Sequence, residues 1–375
     1  MTGLLYMKVL YFSNDYSPHD HRFLSAIVNG GHETYYLRLE KNFRQTEDRP
    51  VPSRVEQVLW AGGEREFRWR DLPRLAIDLK RVIRRVKPDL IHAGPIQTCA
   101  FLVALSGFRP LLTMSWGFDL MQDVHRSWWM ERITHYVLGK STYFTSDARV
   151  TRDKAVTYGM SFNHTCVIPW GVDLGHFAPD ARYALRSVRN EFTFFCNRSW
   201  EPRYGVDVLA KAFVEVATQN ENVSLILLGG GSQAGIIRSI LSNGGVLDRV
   251  HFGGQISQAD LPSWYHMADL YVSPSHVDGA SVSLMEALAC GLPALVSDIP
   301  GNKEWVNEGG NGWLFPDGDV HALARKILAI IGKRKELAEI GRAARKSAED
   351  AADWEKNAAL LMQAYDATIK LSVNN

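Results

Sequence analysis

Residues Ser273 to Val306 read SPSHVDGASVSLMEALACGLPALVSDIPGNKEWV. The stretch closes a strand, turns through a loop at Asp278 and Gly279, and enters a helix over 281–289. It then forms a strand over 293–297 and reaches a second Gly-containing loop that opens another helix. Asp278 and Glu286 stand eight positions apart, one in the loop and one a turn inside the helix. Between them Gly279, Ala280, Ser281 and Val282 offer backbone N–H groups at a helix start. Unsatisfied donors and a positive dipole end make such a start an anion site. A carboxylate one turn further in can accept hydrogen bonds from sugar hydroxyls. Together they predict a site for a nucleotide or a nucleotide-sugar.

The same rhythm extends outward. Apolar strands are expected at 192–197, 223–228, 250–252, 270–274, 293–297 and 312–315. Helical patterns separate them at 206–218, 233–243, 258–267, 281–289 and 302–308. The first half alternates in the same way, with strands near 8–13, 32–39, 55–60, 90–93, 110–116, 142–145 and 165–168. Its helices begin near Phe23, at Asp71 (the expected N-cap), and near Gln97, Ser127 and Arg149. Short apolar strands alternating with helices mean βαβ units, parallel sheets and right-handed crossovers, with ligands at the carboxyl ends of strands. The pattern pauses at 169–190, and residues 40–53 read as an irregular loop broken by Pro50 and Pro52. The expectation is α/β: two Rossmann-like doubly wound domains facing a cleft, 1–170 and 171–352, with a helix over about 353–375 packing back onto the first.

Composition narrows the class. An apolar fraction of 46% and a charged fraction of 22% suit a globular chain. Cys99, Cys166, Cys196 and Cys290 fall singly, which predicts buried thiols in a reducing compartment. No basic-then-apolar leader and no uncharged apolar run of membrane length is present, so a cytoplasmic location is expected. The net charge of +1 is divided unequally: residues 1–170 hold 23 Lys/Arg against 17 Asp/Glu, and the remainder 19 against 24. Between Arg65 and Lys87 lie nine Lys/Arg and three Asp/Glu, interleaved with Leu72, Leu75, Ile77, Leu79, Val82 and Ile83. With Arg126, Trp128, Trp129 and Arg132 nearby, this face is either a solvated helix surface or a peripheral contact with an anionic membrane at the inner face. No nucleic-acid motif occurs. Asp317-Gly318-Asp319 resembles a metal-binding pair, but a Pro-Gly turn capping a helix explains it better. No His/Cys cluster has metal spacing. Gly229–Gly231 lacks the Lys-Ser/Thr of a P-loop.

Three segments belong together: Asn197-Arg198-Ser199-Trp200-Glu201-Pro202-Arg203-Tyr204-Gly205, Leu227-Leu228-Gly229-Gly230-Gly231-Ser232, and the opening stretch with its continuation Ala287-Leu288-Ala289-Cys290-Gly291-Leu292-Pro293. Their order and wording resemble the family 4 glycosyltransferases of the GT-B fold, as does Pro169-Trp170-Gly171-Val172-Asp173 in the pause between domains. The resemblance implies a retaining, metal-independent enzyme with no cofactor beyond a nucleotide-diphosphate sugar, UDP- or GDP-linked. The acceptor it implies is a glycan, a lipid-linked glycan or a small molecule. It assigns Arg198 and Arg203 to the donor diphosphate, Glu286 to the ribose, and the N–H groups of Gly279 to Val282 to a phosphate. The backbone around Gln255 and Ile256 would read the base.

The chain departs from the family in three places. Asp278 stands where a Glu approaches the transferred sugar, and Arg203 stands where a Lys is usual. In Ser115-Trp116-Gly117-Phe118-Asp119, Trp116 occupies the place of a cleft-facing His. Asp119, Trp116, Gly117, His19 and Asp20 are expected near the sugar or acceptor, with Asp119 and Asp278 among the catalytic candidates. His92 reads as packing. A nucleotide-sugar epimerase or hydrolase, or a binding protein without turnover, would use the same donor residues.

Overall fold

The structure is a computed structural model that describes residues 6–41, 47–180 and 190–373. Part of the 40–53 loop (42–46), part of the 169–190 pause (181–189) and the last two positions of the span expected as a helix over about 353–375 lie outside the described residues. The chain divides into two compact units, one of Met1–Pro169 with Glu355–Asn375 and one of Trp170–Trp354.

In the first unit seven strands form one sheet: β1 Lys8–Ser13, β2 Glu33–Arg38, β3 Val55–Gln57, β4 Leu90–Ala93, β5 Leu111–Met114, β6 Tyr143–Ser146 and β7 Thr165–Val167. Their order is β3-β2-β1-β4-β5-β6-β7, and all pairings are parallel. The direction of winding reverses between β1 and β4. The loops that follow those two strands, at Asn14 and Gly94, therefore diverge and leave room at the carboxyl edge. Leu10, Phe12, Ile91, Leu111 and Phe144 form the sheet side of one core, against Leu75, Leu79 and Val82 of the helix Leu72–Val86. Leu79 has no exposed surface, so its truncation to Ala should cost about 2–5 kcal/mol.

In the second unit the strands are β8 Phe192–Cys196, β9 Val223–Leu228, β10 Val250–Gly254, β11 Leu270–Ser273, β12 Ala294–Ser297 and β13 Gly312–Phe315. They are ordered β10-β9-β8-β11-β12-β13, again all parallel. Here the reversal falls between β8 and β11. Phe192, Phe194, Leu225 and Val272 pack with Phe213, Leu323 and Ile327 in a second core.

Several elements differ from their expected form. The strand expected over 55–60 stops at Gln57, and Trp60 instead turns its ring against Phe12 and donates Nε1 to the Arg38 carbonyl at 2.8 Å. Asp71 stands at the N-cap position of the helix Leu72–Val86, as expected, but its side chain makes no capping bond; the carboxylate pairs with Arg65 at 3.0 Å. The helix near Gln97 opens with a wide turn, Ala100 N donating to Pro95 O at 3.1 Å, before the regular segment Phe101–Ser106. The helix expected over 302–308 is only Pro300–Lys303. It runs against the Asp278–Gly279 backbone so closely that a Cβ on Gly301 would lie 2.1 Å from Gly279 O.

His92 is fully buried on β4 and holds the Tyr365 hydroxyl at 2.9 Å through Nδ1, Tyr365 coming from the last helix, Trp354–Val373. Burial pushes its pKa down to about 3, so the ring packs neutral. Asp319 caps the helix Val320–Gly332 by accepting from Ala322 N at 2.8 Å, with Gly318 at φ +75° supplying the turn. Among the described residues no group of three or more His, Cys, Asp or Glu is gathered as for a metal ion.

Candidate active site

The reversal between β8 and β11 brings together two loops that are about eighty residues apart in sequence. Arg198 follows β8, and Asp278 follows β11. Arg198 Nη2 donates to Asp278 Oδ2 at 2.7 Å, while Nη1 donates to Ser281 Oγ at 2.8 Å and Ser283 Oγ at 2.9 Å. Ser281 is also the N-cap of the helix Val282–Ala289, accepting from Leu284 N. The guanidinium thus lies across the start of the helix that the sequence marks as an anion cradle. Its other side rests on the Tyr204 ring, 4.3 Å from the centroid. Burial works against its charge, yet the Asp278 carboxylate, with Tyr204 and Tyr271, more than compensates and raises its pKa. Arg198 is a fixed cation. Its Nε–H, however, is buried with no acceptor among the described residues, an arrangement that commonly costs about 1–3 kcal/mol.

Such proximity needs a glycine. Gly205 has φ +60°, and a Cβ there would lie 2.2 Å from the Pro274 carbonyl oxygen. Only an absent side chain lets the turn Pro202–Tyr204, which carries Arg203, approach the strand end before Asp278. His276 N donates to the Arg203 carbonyl at 2.9 Å, and the partly exposed Arg203 side chain belongs to this same edge. The His276 ring bonds Asp317 through Nδ1 at 2.6 Å, tying in the loop after β13. Sequence reasoning did not find this pair. His276 stands in the opening stretch and Asp317 in the Asp317-Gly318-Asp319 turn, but nothing in either segment pairs them, and their 41-residue separation carries no period.

Glu286 sits in the second turn of the helix, buried among apolar neighbours. Its Oε2 accepts from the Tyr265 hydroxyl at 2.7 Å; the same hydroxyl lies 3.0 Å from the Ser283 carbonyl and accepts from Asn197 Nδ2 at 2.9 Å. Burial and the Glu286 charge hold the Tyr265 phenol well above its usual range, so it remains a donor. Tyr265 was also missed, since a Tyr in the apolar helix Leu261–Met267 reads as core.

The glycine run closes over the same loop. Trp200 N donates to Gly230 O at 2.9 Å, and Ser232 bonds Glu201 through both its N and its Oγ. At the sheet edge Gly229 N donates to Gly254 O at 2.6 Å, leaving Gln255 exposed and Ile256 half-buried beyond it. Gly279, Ala280 and Ser281 are buried, and Val282 is half-buried.

In the first unit the candidate residues gather at the ends of β1, β4 and β5. Asp119 is fully buried: Oδ1 accepts from Ser115 Oγ at 2.5 Å, Trp116 N at 3.2 Å and Leu120 N at 3.0 Å, and Oδ2 from Ile96 N at 3.1 Å. Burial raises its pKa to about 6 against those hydrogen bonds. Its geometry is that of a clamp between the loops after β4 and β5. Asp20 is equally buried. It closes a capping box with Ser17 at the start of the helix Pro18–Asn29 and accepts from the Tyr11 hydroxyl at 2.9 Å; burial raises its pKa to about 6 as well. Both carboxylates are spent on the protein's own donors. His19 and Trp116 instead meet edge to face, ring centroids 5.8 Å apart, and both are half-buried. Gly117, at φ +80°, turns the chain between Trp116 and Asp119.

Residues 179–347 match the model of glycosyl transferases group 1, and residues 8–148 that of the glycosyl transferase 4-like domain. A GDP-mannose-dependent alpha-(1-6)-phosphatidylinositol monomannoside mannosyltransferase of Mycolicibacterium smegmatis is 26% identical over 313 residues, covering 78% of this chain and 80% of that protein. A D-inositol 3-phosphate glycosyltransferase of Paenarthrobacter aurescens is 23% identical over 371 residues, covering 91% and 90%. Among solved structures, sucrose-phosphate synthase from Thermosynechococcus elongatus superposes with a TM-score of 0.80 at 18% identity, over 98% of this chain and 100% of that one. HepE of Anabaena in complex with UDP and glucose gives 0.78 at 20%, over 96% and 100%. The two domain models between them span most of the chain, and with two parallel-sheet units wound in this order the chain belongs to the family 4 glycosyltransferases of the GT-B fold, enzymes that transfer sugar from a nucleotide-sugar donor.

Proposed function

We propose that this chain is a retaining glycosyltransferase whose donor is a GDP- or UDP-linked sugar, bound by the second unit, and that its acceptor is a lipid-linked glycan or a small polyol. The observation that carries the reading is Arg198 lying across the start of the helix Val282–Ala289, with Glu286 buried deeper in that helix. The anion-binding cradle and the hydroxyl-binding carboxylate then sit about one helical turn apart, as a ribose and its phosphates require. GDP-mannose is the first donor to test and an inositol-phosphate headgroup the first acceptor, because relatives with those substrates in their names align over most of both chains.

The chemistry follows from the charges. As the bond between sugar and phosphate breaks, negative charge grows on the leaving diphosphate, and Arg198, Arg203 and the N–H groups of Gly279 to Val282 are aimed to offset it. One such preorganised group is worth roughly 10²–10³ in rate. Glu286 holds the ribose hydroxyls, and the backbone at Gln255 and Ile256 lies beside the base. Asp278 faces the sugar. A departing phosphate that takes the acceptor's proton on the face it leaves gives retention, with no side-chain base and no metal. In the first unit Asp119 and Asp20 act by holding the loops that present Trp116, Gly117 and His19.

Thermal shift with GDP, UDP, ADP and dTDP tests the donor site. A ligand at 100 times its Kd stabilises by about 2.7 kcal/mol. A shift with GDP or UDP is expected, and none with any of the four would overturn the reading. Mass spectrometry with GDP-mannose and inositol-phosphate acceptors then looks for sugar addition. An inverted anomeric centre in the product would refute retention.

A further inference from the structure

The ion pair between Arg198 and Asp278 raises a question that the donor-site reading leaves open: the cation meant for the diphosphate already has a carboxylate. The Nη2 to Oδ2 distance is 2.7 Å, and the two side chains are 11% and 17% exposed. Three features of the pair point to exchange rather than a permanent bond. First, Nη1 is held by neutral acceptors on fixed elements. Ser281 caps the helix, and Ser283 Oγ also receives the Tyr271 hydroxyl at 2.9 Å. Neither hydroxyl competes with an anion, so Asp278 is the only formal charge on the guanidinium among the hydrogen bonds described for it. Second, the backbone beneath Asp278 is pinned. The close passage of Gly301 against Asp278 O and Gly279 O leaves side-chain rotation as the means by which the carboxylate can leave. Third, the Arg198 Nε–H is buried without an acceptor among the described residues, so this arrangement does not satisfy the fork.

We propose that Asp278 is a resident counter-ion that the donor must displace, and that this exchange makes the site selective for nucleoside diphosphates over monophosphates. The inference rests on the donor-site reading above. A carboxylate at hydrogen-bond distance from a guanidinium in a half-dry setting is displaced only by a ligand that brings more negative charge to the same spot. A diphosphate does so. A monophosphate anchored at the ribose by Glu286 brings less charge than a diphosphate and holds it further from the guanidinium, so the original pair stays favoured. The pair also keeps Arg198 neutralised and oriented while the site is empty.

Calorimetric titration of GDP and GMP (or UDP and UMP, if the nucleotide screen selects uridine) tests this. Asp278→Asn keeps the shape and removes the competing charge. It should tighten GMP by about tenfold or more and narrow the preference for GDP over GMP. Asp278→Ser should do the same, which covers a variant that folds poorly. Asp278→Glu restores the charge and should restore the wild-type preference. Affinities for GMP within twofold of wild type in both neutral variants, or weaker, would overturn the exchange. Arg198→Ala should lose GDP binding in every background. If the wild type binds no nucleoside diphosphate and Arg198→Ala changes nothing, the donor-site reading itself fails, which is distinct from a wild type that binds GDP but whose Asp278 variants do not alter selectivity.

Discussion

Replacing Tyr265 by Phe removes one oxygen and leaves the packing of the ring intact, so it isolates what the hydroxyl does for Glu286. That hydroxyl meets Glu286 Oε2 at 2.7 Å, the Ser283 carbonyl at 3.0 Å and Asn197 Nδ2 at 2.9 Å. A hydrogen bond to a charged acceptor contributes about 1.5–3 kcal/mol, and its loss here leaves a buried carboxylate oxygen without that donor. At about 2 kcal/mol, and about 2–4 °C per kcal/mol for a unit of this size, the second unit should melt about 4–8 °C lower. Glu286 would also lose the contact that fixes its rotamer. If that loosening removes about 1.4 kcal/mol of donor binding, KM for the nucleotide-sugar rises tenfold. The turnover number should move much less, because the diphosphate contacts of Arg198 are untouched. Calorimetry and initial rates at varied donor concentration read both effects. A variant that melts lower yet keeps the wild-type donor KM would refute the assignment of Glu286 to the donor, leaving it a purely structural acid.

Arg198→Ala should cut turnover by roughly 10²–10³ and destabilise by about 3 kcal/mol or somewhat less, since Asp278 keeps some contact with water. The double variant with Asp278→Ala should recover stability but not rate, and recovery of both would separate Arg198 from the chemistry. Asp119, raised to about 6 from 3.8, favours the folded state most when protonated. Its contribution is therefore present below about pH 4 and lost as pH rises through 6, on the order of 3 kcal/mol in all. Asp119→Asn should be less stable throughout, because an amide would meet the Ile96 N–H, yet its urea midpoint should depend less on pH over that window; an unchanged slope counts against the shifted carboxylate. On the first unit, Arg74, Ile77, Arg81, Arg84 and Arg85 form the outer stripe of the helix Leu72–Val86, and Leu59, 83% exposed, lies beside it, its carbonyl accepting from Arg85 Nη2 at 3.0 Å. If this face meets anionic lipid, reversing Arg81, Arg84 and Arg85 to Glu should abolish co-sedimentation with phosphatidylserine vesicles, at about 1 kcal/mol per charge. Equal sedimentation of wild type and variant would mark the stripe as a solvated surface.

What the sequence by itself determined is what local pattern can encode. Runs such as Phe192–Cys196 and Leu270–Ser273 are apolar on both faces, which suits a strand covered by helices on each side, and their alternation with helices requires parallel sheets. The small residues from Gly279 to Ser281 before an apolar helix likewise mark a helix start. Local pattern placed Asp71 at the N-cap of its helix but did not show the partner of its carboxylate, which is Arg65. The tertiary structure decided which loops meet. Strand order is set by crossovers and by the fit of whole faces, so only the reversal between β8 and β11 places Arg198 on Asp278, Ser281 and Ser283. It also decided burial. Asp20 and Asp119 resemble loop acids facing a ligand, yet each is enclosed and saturated by donors from neighbouring residues and loops. The partners that matter most to the site, Tyr265 on Glu286 and Asp317 on His276, have no periodic relation along the chain, because a hydrogen bond between separate elements depends on distance in space alone.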